Sequence, residues 1–236
     1  MKMRISIVYH VYLAPNKWRP IVEEQLSQLS QLPLYDLADK IQMTVIIDQE
    51  NDYYELKNLL EEKWPKVGIA QMSTLNTYEF SGIRQLYIAS DNDIENRNND
   101  TILLYFHSKG MTSNEHNTRK NLFDITIKNY QEYLDAFEQD PTLDIAGYAP
   151  HVNGFIYFNF FWIRARYIHT WCPWPERSST DRFIWEVWFG SDYSTKTKKT
   201  GQPIRTWSPV LGHDQISNKH DELWKSIFGY ITRERA

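Results

Sequence analysis

An unbroken apolar run, Ile102 to Phe106 in "TILLYFHSKGMT" (101–112), stops abruptly at His107-Ser108-Lys109-Gly110. Apolar side chains at consecutive positions leave no face for water, so the run fits a strand covered on both sides. A sheet built around such a strand needs helices on each of its faces. The polar residues begin only where the strand ends, which makes that end the first place to look for chemistry.

The rest of the chain supplies those helices. "RISIVYHVYL" (4–13) is β-rich and bounded by Pro15, and Trp18, Val22, Leu26 and Leu29 then recur at helical spacing. "MTVIID" (43–48) predicts a second strand, and Tyr53, Leu56, Leu60 and Trp64 a second helix that Pro65 stops. "VGIAQM" (67–72) predicts a third strand. "TYEFSGIRQLYIAS" (77–90) reads as a loop entering a short helix, and "DNDIENRNND" (91–100) as a polar loop. Phe123, Ile127, Tyr130, Leu134 and Phe137 predict one long amphipathic helix. "LDIAGYA" (143–149) and "GFIYFNFFWIRARYI" (154–168) predict further strands, with the second running into a helix as its alternative, and "DRFIWEVWFG" (181–190) predicts a third amphipathic stretch. Strands alternating with helices predict an α/β fold with a mixed, mainly parallel sheet and helices on both faces.

The 236 residues suit a single domain, 1–236, with a first half at 1–110 and a second half and tail at 111–236. In such sheets ligands bind beyond the carboxyl ends of the strands. That places His10, Asp48 and His107-Ser108-Lys109 as candidates. A net charge of -4 argues against nucleic-acid binding by bulk charge. The single cysteine, Cys172, excludes an internal disulfide framework and fits a cytoplasmic location. The N-terminus reads as a first strand rather than a signal peptide, and no apolar stretch approaches the roughly 20 residues of a transmembrane helix. No GxGxxG, P-loop or GxSxG motif occurs.

Four segments in order, "YEFSGIRQLY", "ILLYFHSKG", "NFFWIRARYI" and "DRFIWEVWFG", span residues 78–190. In them the chain resembles GT-A-like glycosyltransferases of viruses, bacteria and algae. It is similar to the N-terminal domain of a chlorella-virus glycosyltransferase and, more loosely, to the rhamnan-synthesis F family. Residues 1–77 match only in their βαβ pattern. The resemblance implies a GT-A-like fold, that of nucleotide-diphospho-sugar transferases. It also implies a nucleotide-sugar donor, UDP-linked, and a glycan hydroxyl as acceptor.

In GT-A enzymes a strand of this shape ends in D-x-D, whose carboxylates hold a divalent metal against the donor diphosphate. Here the slot reads His107-Ser108-Lys109. Lys109 brings one certain positive charge, and an ammonium can supply part of what Mg²⁺ or Mn²⁺ would bring. The resemblance thus implies transfer without a required metal, with a surface turn as the plain alternative. Asp91-Asn92-Asp93 matches D-x-D literally but precedes the strand. It reads as a solvated loop, with a metal site at Asp91 and Asp93 as the alternative.

Other candidates follow from position. Tyr9 and His10, at the end of the first strand, would line the nucleotide pocket, with Tyr9 stacking on uracil or filling the core. Asp48 would bond ribose or base, or cap the helix after it. Glu79 and Arg84 flank Gly82 in a segment that borders the sugar in GT-A-like folds. Arg119 lies on the inward stripe of its helix and in its first turn, where a cation needs a nearby anion. Asn159 interrupts an apolar run and needs partners if buried. His213 in "GHD" is a further phosphate or sugar ligand. Aromatic residues crowd 155–189, and most would be core.

The implied mechanism is inverting, with retention left open: a carboxylate deprotonates the acceptor, which attacks the anomeric carbon in line. Glu186, alone among Phe183, Trp185, Trp188 and Phe189, is the first candidate base, and Asp192 and Asp214 are its competitors. The rival reading is a non-catalytic carbohydrate-binding or scaffold protein on a decayed GT-A fold, which would need no base.

Overall fold

Two strands buried on both faces organise the molecule. The computed structural model describes residues 3–95, 101–108, 116–151, 153–176, 184–190 and 204–213, with the backbone alone at 92–95, 186 and 213. Strand β1 (Arg4–Leu13) pairs in parallel with β4 (Thr101–His107), from Arg4 opposite Thr101 to His10 opposite His107. Side chains along a strand alternate between faces. Ile5, Ile7, Tyr9 and Val11 of β1, with Ile102, Leu104 and Phe106 of β4, join one core. Val8, Leu103 and Tyr105 join the other.

On the first face lie α1 (Trp18–Ser30), the short α2 (Pro33–Leu37), α3 (Glu50–Lys63), α5 (His116–Phe123) and α6 (Tyr130–Gln139). Trp18, Val22, Leu26 and Leu29 of α1 are all buried, as their spacing predicts. Helix α3 carries Glu50 and Asp52 in its first turn and Lys63 in its last, both favourable with the helix dipole. On the second face lie α4 (Phe80–Glu95), α7 (Ala165–Trp171) and the short α8 (Ile184–Val187).

Among the described residues the sheet has eight strands in the order β3-β2-β1-β4-β6-β5-β7-β8. β3 (Val67–Ser73), β2 (Lys40–Ile47), β1 and β4 run parallel. β6 (Phe161–Arg164) is antiparallel to both β4 and β5 (Ile145–Gly147). β7 (Thr206–Ser208) runs parallel to β5, and β8 (Gly212–His213) antiparallel to β7. The mixed, mainly parallel sheet with helices on both faces is therefore present.

Two local expectations change. Helix α4 continues to Glu95, so Asp91-Asn92-Asp93 lies on a helix rather than in a loop. Its inward residues Ile83, Leu86, Tyr87 and Ala89 are buried, and this packed stripe carries the helix into the polar segment. The long helix expected through 123–137 is broken by a π turn at Asp124–Lys128. There the Thr126 carbonyl accepts from the buried indole of Trp162 at 2.9 Å, a bond a regular helix would keep for itself.

Gly82 sets how closely α4 approaches the sheet. A Cβ there would lie 2.5 Å from the Tyr105 hydroxyl and 2.9 Å from the His10 Cβ. Neither neighbour is a flexible chain end. Gly82→Ala is expected to lower the unfolding free energy by about 1–3 kcal/mol, the range for overpacking a filled core. Urea denaturation checks this, and an unchanged midpoint would mean that α4 can move away without loss.

Candidate functional site

Beyond the carboxyl ends of β1, β2 and β4, on the side of α4, polar side chains converge. The cause is the pairing just described: both strands are covered until His10 and His107, and only there can polar groups reach the cleft.

Glu79, immediately before α4, is the hub. Its Oε2 accepts from Asn159 Nδ2 at 2.5 Å and from the Tyr105 hydroxyl at 3.3 Å. Its Oε1 lies 3.8 Å from His107 Nδ1, and both side chains are mostly buried. His107 Nε2 is 3.0 Å from the Phe158 carbonyl. A carbonyl only accepts, so this nitrogen carries a proton. Asn159 is buried and also donates to the Trp185 carbonyl of α8 at 3.4 Å. The need for partners at this residue is met, and the bond ties α8 to the hub. Phe158 and Asn159 hold left-handed backbone angles, φ 68° and 50°. Such angles in residues with a Cβ are rare and cluster at functional sites.

His10 lies beside this network. Its Nδ1 is 2.8 Å from Thr44 Oγ1. Burial, with a smaller contribution from nearby His107, pushes its pKa from the ordinary 6.5 down to about 3. His10 is therefore neutral at pH 7 and brings no charge to a phosphate. Ser108 closes the tip: its N–H donates to the His10 carbonyl at 3.0 Å, and its Oγ accepts from the Tyr12 N–H at 3.3 Å. Asp48 follows β2 and is exposed, accepting a short hydrogen bond from the Tyr12 hydroxyl. That bond pushes the phenol up to about 12. Asp48 does not cap α3, whose N-cap is Gln49 with no side-chain bond.

Other candidates stand elsewhere. Tyr9 is fully buried on the opposite face, stacked on Phe106 at 4.4 Å and donating to Gln25 at 2.7 Å. It is a core residue, because the two-residue period of β1 points it at α1. Arg84 lies exposed on α4, its guanidinium 5.6 Å from the centre of the Trp174 ring. Arg119 does have the anion its position demands, but that anion is Glu24 of α1, at 2.9 Å, with His116 beside it. Asp91 pairs with His169 of α7 at 2.8 Å, near the amino end of β4 and so at the wrong end of the sheet for this cleft. Lys109 and Asp192 lie outside the described residues, as do Asp214 and the side chains of Asp93, Glu186 and His213.

Of the described residues at the end of β4, His107 and Ser108 do not fit a divalent ion. His107 uses one nitrogen on Phe158, Ser108 accepts from the backbone, and neither offers a carboxylate. Among the described residues no three His, Cys, Asp or Glu side chains are placed to share a metal, and no helix is long and apolar enough to cross a membrane.

Tyr12, Thr44 and Tyr105 join the candidate site without having been singled out in the sequence. Tyr12 had a signal, since it shares the strand face of His10 two residues on. Thr44 had one as the hydroxyl inside an apolar strand. Tyr105 had none.

No family model matches the chain, and no curated protein sequence is significantly similar to it. A cytidylyltransferase from Leptospira borgpetersenii serovar Hardjo-bovis is a structural neighbour over 83% of this chain and 74% of its own. Its identity is 9% and its TM-score 0.46. Likeness at that level fixes neither family nor chemistry.

The buried His10 makes stability depend on pH. Between about 6.5 and about 3 the unfolded chain binds a proton that the native ring refuses, so stability falls as pH drops through this window. The slope from this one group approaches about 1.4 kcal/mol per pH unit. Urea denaturation at several pH values between 4 and 7 is expected to show a steeper loss for the parent than for His10→Gln. Parallel slopes would mean that the native ring protonates freely.

Proposed function

We propose that the chain is a GT-A-like glycosyltransferase that moves a sugar from a UDP-linked donor to a glycan hydroxyl. The observation that carries this reading is the convergence of Asp48, His107, Ser108 and Glu79 beyond the carboxyl ends of adjacent parallel strands. Open α/β sheets bind ligands at that place. The sequence resemblance supplies the class of ligand. Asp48 can accept from a ribose hydroxyl or a base N–H, as acidic residues at such tips do. Ser108 and His107 deliver the chain to Lys109, whose ammonium would face the diphosphate in the role a metal has in D-x-D enzymes.

The base in this proposal is Glu186, with Asp192 next in line. Glu186 follows Trp185, whose carbonyl is bonded to Asn159 of the network, so α8 is anchored beside the cleft. An inverting transfer needs one carboxylate near the acceptor hydroxyl and no covalent intermediate. One domain would carry both halves of the reaction, donor binding on residues 1–110 and the acceptor on 111–236.

The test begins with a panel of UDP-sugars, scored for UDP release with acceptor glycans, with and without Mn²⁺. Release that persists in EDTA is the expected result. Glycan binding without UDP release from any donor would favour the carbohydrate-binding alternative. Lys109→Ala is expected to weaken donor binding by about 1.5–3 kcal/mol, the range for a hydrogen bond to a charged group. If chelation abolishes activity and Asp91→Ala does too, charge comes from a metal and not from Lys109.

Glu186→Gln keeps the shape and removes the base. Its transfer rate is expected to fall by on the order of 10²-fold with donor affinity nearly unchanged. Transfer at the parent rate would make Glu186 structural and move the search to Asp192 and Asp214.

A further inference from the structure

One large ring on the second face is left out of the core. Among the described aromatic residues of 155–189, Trp174 alone is exposed, at 45%. It is nevertheless held firmly. Trp174 stands between Pro173 and the buried Pro175, whose rings restrict the backbone around it. The Pro173 carbonyl accepts from two buried side chains, the Tyr87 hydroxyl of α4 and, at 3.2 Å, the Trp188 indole just after α8. The Tyr87 ring meets the Trp174 ring edge-on, with centres 5.6 Å apart. Arg84, three residues before Tyr87 on α4, holds its guanidinium 5.6 Å from the centre of the same indole. Arg84 is exposed, and no carboxylate among the described residues pairs with it. A fixed, open indole and a cation without a counter-charge therefore share one place on the surface.

Resting on the glycosyltransferase reading, we propose that Trp174 and Arg84 form a subsite for the acceptor glycan, and that the unit bound there is an anionic sugar, a uronate. A pyranose ring has an apolar C–H face, which an indole covers, and an indole already fixed loses little freedom in doing so. A neutral sugar would have no use for the cation. A guanidinium beside the ring offers N–H groups that match a carboxylate in pairs. Nucleic acid fits less well, since the chain carries a net charge of -4. Helix α8 links this subsite to the cleft. The Trp185 carbonyl accepts from Asn159 of the Glu79 network, and Trp188, three residues on, holds Pro173. Arg84 follows Phe80, the first residue of α4, by four residues. That is a rise of about 6 Å, or one turn, away from Glu79. The subsite thus takes a unit of the acceptor other than the one that reacts.

Calorimetric titration with short oligomers of galacturonate, glucuronate and mannuronate, and with their carboxyl-reduced neutral forms, tests this. The parent is expected to bind at least one oligouronate about tenfold or more tightly than its neutral form, as loss of a charge-assisted hydrogen bond implies. Trp174→Ala is expected to weaken both forms by about tenfold or more, the usual cost of truncating an anchoring tryptophan. Trp174→Tyr is expected to keep most of the affinity, since a phenol ring also stacks. Arg84→Gln is expected to bind the two forms alike. Melting temperatures check that each variant is folded, and Arg84→Gln serves alone if Trp174→Ala is not. Parent-like binding by both Trp174→Ala and Arg84→Gln overturns the subsite, and so does a parent that does not prefer the acid form. A parent that binds no oligouronate yet releases UDP from a sugar donor overturns the subsite and leaves the glycosyltransferase reading standing. A parent that binds oligouronates through Trp174 and Arg84 but releases UDP from no donor keeps the uronate site and overturns that reading.

Discussion

The parallel pairing of β1 with β4 is the constraint on which the rest of the structure depends. Covered by helices on both faces, the two strands admit no charge along their length. Arg4 stands at one end, on the rim with Asp39, and His10 and His107 meet in register at the other. The site exists because the buried ladder stops there. The same burial decides what His10 can be. Taken out of water and placed near His107, it is a neutral hydrogen-bonding strut and not a phosphate-binding cation.

What gathers at that end is held by one carboxylate. Glu79 joins the start of α4 to β4 through Tyr105 and His107, and to α8 through Asn159. Partners drawn from four parts of the chain make the arrangement hard to move piecemeal, because each loss leaves a buried polar group short of a bond. Backbone strain concentrates in the same place: of the four non-glycine residues with positive φ among those described, Tyr78, Phe158 and Asn159 all touch this network.

The fold was legible because burial writes itself into local pattern. The run 102–106, the spacing of Trp18, Val22, Leu26 and Leu29, and the stop at Pro65 each reflect contacts made within one element. The site was legible only as strand ends. His10, Asp48, His107 and Ser108 stand out as candidates that way, but the partners they meet lie far along the chain. Glu79 meets Asn159 across 80 residues and Arg119 meets Glu24 across 95, distances over which sequence spacing carries no information. Tyr9 shows the limit most simply. The two-residue period of β1 sets it opposite His10, and only the packing of α1 on that face, with Gln25 accepting from its hydroxyl, makes the ring part of the core. Asp91-Asn92-Asp93 read as a loop because its composition is polar, yet the buried stripe of α4 carries the helix through it.

The central claim is that the cleft beyond β1, β2 and β4 on the α4 side receives a nucleotide-sugar. A crystal structure with a UDP-sugar tests it most directly. The account predicts the diphosphate beyond the ends of β1 and β4, the nucleoside beside Asp48, and the sugar toward α8. A donor bound anywhere else on the molecule, or a diphosphate seated on a metal held by Asp91 and Asp93, would contradict it.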